Sequence, residues 1–267
     1  MRRGIPWHIV IGTIGFFFLY VPLILVVVFS FNDSRSTAVW AGFSLKWYGE
    51  MWTDDGLRSG LMFSLLFAVI SASLSIVLGT LLAFAMRRFG PFRLRRLLAG
   101  LASLPLVMPE IVTGLMMLLF FVSLRKLFPF WPPNGGVSVV IAHTTFGMAF
   151  ASIVVQARLA DLDNSVVEAA ADLGAKPLDV FFSIIVPLIA PALIAGWLLA
   201  FTLSFEDAVI TQFVNGPGTT TLPVEVFSRV RLSVKPDVNA LATIMIAIVA
   251  FAVTLGMIFN ARGRGKN

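Results

Sequence analysis

Asp161 to Pro187 reads DLDNSVVEAAADLGAKPLDVFFSIIVP and lies between two apolar runs, Val137–Ala157 and Leu188–Val214. Ser165 and Glu168 stand at capping-box spacing, so the Ser165 hydroxyl can accept from the Glu168 amide while the Glu168 carboxylate reaches back. A short helix over Val166–Leu173 follows. Gly174 then fits a left-handed helix stop, and Pro177 suits the first turn of a second short helix that Pro187 closes off. The stretch is therefore expected to be a helix-turn-helix hairpin. Its Ala-rich first helix has a thin surface suited to a groove on another protein.

The chain around this hairpin has the composition of an all-α integral membrane protein: 58% hydrophobic residues, 13% charged, 25 Phe and a mean hydropathy of +0.92. Six windows reach the roughly 20 apolar residues that a bilayer core requires: His8–Phe31, Gly60–Met86, Leu97–Leu124, Val137–Ala157, Leu188–Val214 and Asn239–Asn260. The chain reads as a single transmembrane domain, 1–267, with the hairpin loop, 158–187, inside it. The first window is too long for a signal peptide and lacks a small-x-small cleavage site, so it is expected to stay as helix 1. Twelve of the 20 Lys and Arg residues, five of them in RRFGPFRLRR (Arg87 to Arg96), fall on the side of the termini. That excess predicts cytoplasmic termini and a cytoplasmic hairpin between helices 4 and 5. The basic residues are spread between apolar spans, which reads as topology and not as a nucleic-acid surface. Zero Cys excludes disulfides and thiol catalysis, and two His make a protein-built zinc site improbable.

EAAADLGA followed by IIVP resembles the EAA loop of ABC importer permeases, the element that docks into an ATPase subunit. The resemblance implies a type I permease fold and assigns ATPase coupling to Glu168, Ala169, Ala170, Asp172, Gly174 and Pro187. VWAGFSLKWYGEM, PLVMPEIVTG, LSFEDAVITQFVNGPGTTTLPVEVFS and VNALATI are similar to the permeases of the putrescine and spermidine importers. Glu110 and Glu206 depart from that pattern, standing where the family suggests Asp. The resemblance implies a second permease in a heterodimer, two ATPase copies and an extracytoplasmic polyamine-binding protein as partners, with this chain in a bacterial inner membrane. The chain has no G-x-x-x-x-G-K-[ST] loop, so ATP and Mg belong to the partner ATPase and not to this chain.

SFEDAVITQF, Ser204 to Phe213, places two carboxylates in an apolar run. On one continuous helix, neighbours point about 100° apart, so Glu206 and Asp207 take different faces. Gly196, Ala200, Ser204, Asp207, Thr211 and Asn215 form a small or polar stripe, which suits either a wet passage or a tight helix crossing, and its Asp and Asn favour the passage. Glu206 shares its side with Leu199, Thr202 and Ile210, toward a neighbouring helix or the partner permease. Glu110 follows Pro109, where a broken helix 3 exposes it. Asp207, Glu206, Glu110, Ser204 and Thr211 are the candidate contacts for a passing cation. Two other classes stay open, an intramembrane hydrolase using Glu110 with Asp207 and a proton-coupled carrier. His143 reads as a packed core histidine. Trp40, Trp47, Tyr48 and Trp52 read as interfacial anchors, with cation–π contacts as the alternative.

Overall fold

The computed structural model describes residues 7–36, 39–88, 93–232 and 236–264. Their regular elements are helical, joined by one isolated backbone bridge, Asn32 with Phe43. Two compact units are formed, one from the chain up to Arg58 together with the chain from Val226 onward, the other from Ser59–Glu225.

The first unit contains α1 (Trp7–Phe29), α2 (Lys46–Thr53), α11 (Leu222–Leu232) from Val226 onward and α12 (Pro236–Arg264). The apolar window of α1, Ile9–Phe29, buries none of its residues, as a helix that is hydrophobic all round does when lipid or another chain is its solvent. The loop after it is ordered by the buried Asn32. Its amide oxygen accepts from the Ser34 and Ala41 amides, its nitrogen donates to the Val39 carbonyl at 2.7 Å, and its carbonyl accepts from Trp47 Nε1 at 2.6 Å. Trp47 is thereby turned inward, whereas Trp40 and Trp52 are exposed. α11 (Leu222–Leu232) brings Arg229 to Asp54 and to Asp237 at the start of α12 (Pro236–Arg264).

The second unit is built on α6 (Gly136–Ala160), the most buried of the spans. α3 (Asp55–Arg88) packs on it through small residues: Ser71 and Ser75 donate to the Val140 and Thr144 carbonyls, and a Cβ on Gly79 would lie 3.0 Å from Ala151 and from the Met148 carbonyl. Close backbones of this kind substitute for a hydrophobic drive that lipid cannot supply. One apolar cluster joins Phe67, Phe121, Val139, Ala142, Phe146, Ile210 and Val214, and a second joins Ala83, Val155, Ala170, Val180, Ile185 and Ile189.

Among the described residues, four helical runs are long and apolar enough to span a membrane: Ile9–Phe29, Asp55–Arg87, Gly136–Ala160 and Pro177–Glu206. The window expected as one irregular third helix is two helices, α4 (Arg95–Val107) and α5 (Glu110–Leu127), bent by 120°. Pro105 is accommodated inside α4, and the break falls at Met108 and Pro109, both extended, because a residue before proline is pushed out of the helical region. Counted as one span, this pair gives five. The sixth window lies on α12, whose apolar part among the described residues is Pro236–Phe251.

Over the stretch expected to form the hairpin, two helical segments flank Gly174, and they differ from the expectation at two points. α7 (Asn164–Asp172) is capped by Asp163, whose carboxylate accepts from the Ser165 amide at 2.9 Å, and not by Ser165. That hydrogen bond holds the Asp163 carboxyl below the usual carboxylate range. α7 stops at Gly174, φ +80°, with the Ala175 amide returning to the Ala170 carbonyl and the Gly174 amide to that of Ala171. α8 (Pro177–Val180) is not closed off by Pro187. It continues through a π-helical turn, Phe181–Ile185, into α9 (Val186–Glu206). A proline inside a helix would strike the carbonyl four residues back, and the wider turn relieves that clash.

Candidate functional site

The apolar run that carries the acidic pair is interrupted at the pair itself. α9 ends at Glu206, Asp207 is extended (ψ 121°), and α10 (Val209–Val214) begins after Ala208. Asp207 drives this break by satisfying the first turn of α10. Its Oδ1 accepts from the Ile210 amide at 3.1 Å, and its Oδ2 accepts from the Thr211 amide and hydroxyl, both at 2.7 Å. A local carboxylate that offers the backbone these bonds competes with helix continuation. The 100° argument for separate faces therefore does not apply across Glu206 and Asp207.

His143, on α6 and 3% exposed, completes the arrangement. Its Nε2 lies 3.1 Å from Asp207 Oδ2 and 2.9 Å from Thr211 Oγ1, and its Nδ1 lies 2.7 Å from Ser204 Oγ. An ionised carboxylate only accepts, so the hydrogen belongs on Nε2, and in a neutral ring Nδ1 accepts from the Ser204 hydroxyl. His143 is packed, as its sequence context predicts, but it is also the centre of a four-residue polar network. No spacing rule reveals this, because its partners lie 61 to 68 residues away.

The stripe residues Gly196, Ala200 and Ser204 are buried against neighbouring helices. A Cβ on Gly196 would lie 2.9 Å from Ile76, and a Cβ on Gly147 would lie 3.3 Å from that of Ala200. Within this chain the stripe is thus a tight helix crossing, the less favoured of the two sequence readings. Ser204, Asp207 and Thr211 sit in that contact, the Asp207 side chain only 9% exposed. Glu206 and Glu110 are exposed, and neither has a hydrogen-bond or ion-pair partner among the described residues. Both stand at helix breaks, and the helices after those breaks pack together: α5 meets α10 where Gly114 faces Ile210 and Phe213. The free carbonyls at the ends of α4 and α9 add partial negative charge there.

At the other end of α9, Glu168, Ala169, Asp172, Gly174 and Pro187 are exposed, while Ala170 is buried in the second apolar cluster. Leu173, at the tip, is 89% exposed, and Val166, Leu178 and Phe182 are also uncovered. A cavity of about 480 Å³, lined by Phe84, Arg87, Leu159, Leu162, Val167 and Ile185, lies beneath α7.

The family model described as binding-protein-dependent transport system inner membrane component matches residues 75–262. The chain is 48% identical over 258 residues to the putrescine transport system permease protein PotI of Escherichia coli K12, covering 96% of this chain and 92% of that one. It is 38% identical over 249 residues to the spermidine/putrescine transport system permease protein PotC of the same strain, covering 93% and 91%. Among solved structures, its fold matches a chain of a bacterial ABC transporter that imports the acidic polysaccharide alginate, with TM-score 0.73, 16% identity and coverage of 96% and 94%. A chain of the inward-facing MetNI methionine ABC transporter matches with TM-score 0.61 and 16% identity, covering 80% and 97%. With a family model spanning most of the chain and end-to-end likeness to two permeases, this protein belongs to the inner membrane components of binding-protein-dependent transport systems.

Proposed function

We propose that the chain forms half of the translocation pathway of an ATP-driven importer for putrescine or spermidine. The observation that carries the substrate is the 48% identity, over nearly its whole length, to a permease named for putrescine. In this reading a second permease completes the pathway, an extracytoplasmic binding protein delivers the polyamine, and two ATPase copies supply ATP and Mg. In the same reading the chain crosses the membrane six times, and the excess of Lys and Arg on the side of the termini orients them and the α7–α8 segment toward the cytoplasm. Glu168, Ala169, Ala170, Asp172, Gly174 and Pro187 form the coupling element, and the uncovered Leu173 and Leu178 supply apolar surface for the ATPase groove.

A diamine is a dication at neutral pH, since alkylammonium groups titrate near 10. The carboxylates placed to meet it are Glu110 and Glu206, at the breaks between α4 and α5 and between α9 and α10. Asp207, Ser204 and Thr211 act behind them, as the frame of the second break. The test is ATP-dependent uptake of labelled putrescine by membranes expressing the whole system, with competition by spermidine and by neutral and anionic solutes. Saturable uptake displaced by polyamines alone supports the assignment; uptake that ignores polyamines overturns it.

A further inference from the structure

The polar network around His143 has a geometry that helix packing alone does not require. Asp207 takes its backbone partners, Ile210 and Thr211, from α10. Without the imidazole, α10 would still be capped, and Leu203 of α9 would still pack against the apolar cluster of Ile210 and Val214. The ring adds a hydrogen-bonded link between the two half-helices. Its Nδ1 is bonded to Ser204 on the last turn of α9, and its Nε2 to Asp207 and Thr211 across the break. α6 holds that ring in register, because Gly147, one turn further on, is in close contact with Ala200 of α9. Glu206 lies at the seam between the two half-helices, so the direction of its carboxylate follows from how those halves are set.

We propose that His143 is a positioning residue for translocation: it bridges Ser204 to Asp207 and Thr211, fixes the α9–α10 break, and so holds Glu206 beside the passing diamine. The transport part rests on the polyamine reading above, whereas the bridge itself does not. The experiment uses the complete importer, purified and reconstituted, with wild type, His143→Phe and His143→Gln. Phe fills the ring volume and removes all three hydrogen-bond contacts; Gln keeps a donor directed at Asp207 and loses the acceptor for Ser204.

Two readouts are taken, amide hydrogen exchange over Glu206–Thr211 and KM against Vmax for putrescine uptake. For His143→Phe the expected result is exchange about tenfold faster in that peptide and KM raised roughly tenfold, with Vmax within about twofold, the scale of one lost hydrogen bond to a charged group. His143→Gln falls between Phe and wild type in both. Unchanged exchange in His143→Phe overturns the bridge, and faster exchange with an unchanged KM reduces His143 to a brace with no bearing on substrate. If the Phe variant does not assemble, the Gln variant decides, wild-type values in both readouts overturning the proposal. If the wild-type complex takes up no putrescine, the polyamine reading fails alone. Exchange then still decides the bridge, and ATPase activity stimulated by the binding protein replaces uptake.

Discussion

Arg229 grips Asp54 with both prongs of its guanidinium, Nη2 to Oδ1 at 2.7 Å and Nη1 to Oδ2 at 3.0 Å, while the same Nη1 reaches Asp237 Oδ2 at 3.0 Å. One cation thus ties the residue ahead of α3 to the start of α12. The hydrogen bonds from Arg229 outweigh burial and hold the Asp54 carboxyl below the usual carboxylate range. A lowered carboxyl contributes stability that is present above the ordinary carboxylate pKa and is lost as pH falls through the folded value. Arg229→Met leaves two carboxylates facing each other and is expected to cost about 2 kcal/mol, between an exposed pair and a fully buried one. Thermal melting of the purified complex from pH 7 down to about pH 3 checks it. The wild type should lose melting temperature below roughly pH 4, and the variant should start lower and lose less.

Gly174 is needed for its backbone angle and not for space, since nothing lies within 4 Å of a Cβ placed there. Gly174→Val is therefore expected to strain the hairpin turn by about 1–2 kcal/mol and to reduce the ATPase that co-purifies with the permease, without unfolding the spans. Leu173→Asp makes the complementary change, removing exposed apolar surface while leaving the turn intact. Both variants should retain less ATPase after detergent purification. Full retention in both would remove the hairpin tip from the coupling surface.

Asp207 and Glu206 are adjacent in sequence and should fail differently. Asp207→Asn weakens the cap of α10 and the partner of His143, so melting temperature and uptake should fall together, with a stability loss on the order of 1–3 kcal/mol. Glu206→Gln and Glu110→Gln remove exposed charges, so melting should stay near wild type while KM for putrescine rises, in Glu206→Gln by about tenfold or more. Equal stability losses in all three variants would contradict this division.

Topology is testable because the chain has no Cys. Arg93→Cys should label from the cytoplasm, and Phe130→Cys and Pro217→Cys from outside. Phe130 is 82% exposed, and Pro217 avoids the positive-φ position at Gly218. Outside labelling at position 93 would overturn cytoplasmic termini.

What could be read from the chain in advance was what local chemistry enforces. Gly174 stops α7 where its left-handed angle is required, and Pro109 interrupts the third window because it constrains both itself and Met108. Asp163 replaced Ser165 as the cap because two side-chain acceptors compete two residues apart, and sequence alone does not rank them. The break at Asp207 carries neither Gly nor Pro. It depends on a carboxylate satisfying amides that a continuous helix would have used, held by an imidazole from a distant span. Helical periodicity extrapolated through SFEDAVITQF consequently merged two half-helices into one face.

The uninterrupted helical run from Pro177 to Glu206 has a mechanical meaning. At about 1.5 Å per residue its 30 residues measure roughly 45 Å, with the hairpin at its foot and an exposed carboxylate at its head. The π turn widens this rod without severing it, so a tilt imposed at the foot arrives at the head as a lateral sweep. The first interruption of the helix that the motion meets is Asp207–Ala208. A pull on the Pro177 end of the rod would therefore be felt at its far end as a change in where Glu206 stands relative to α10.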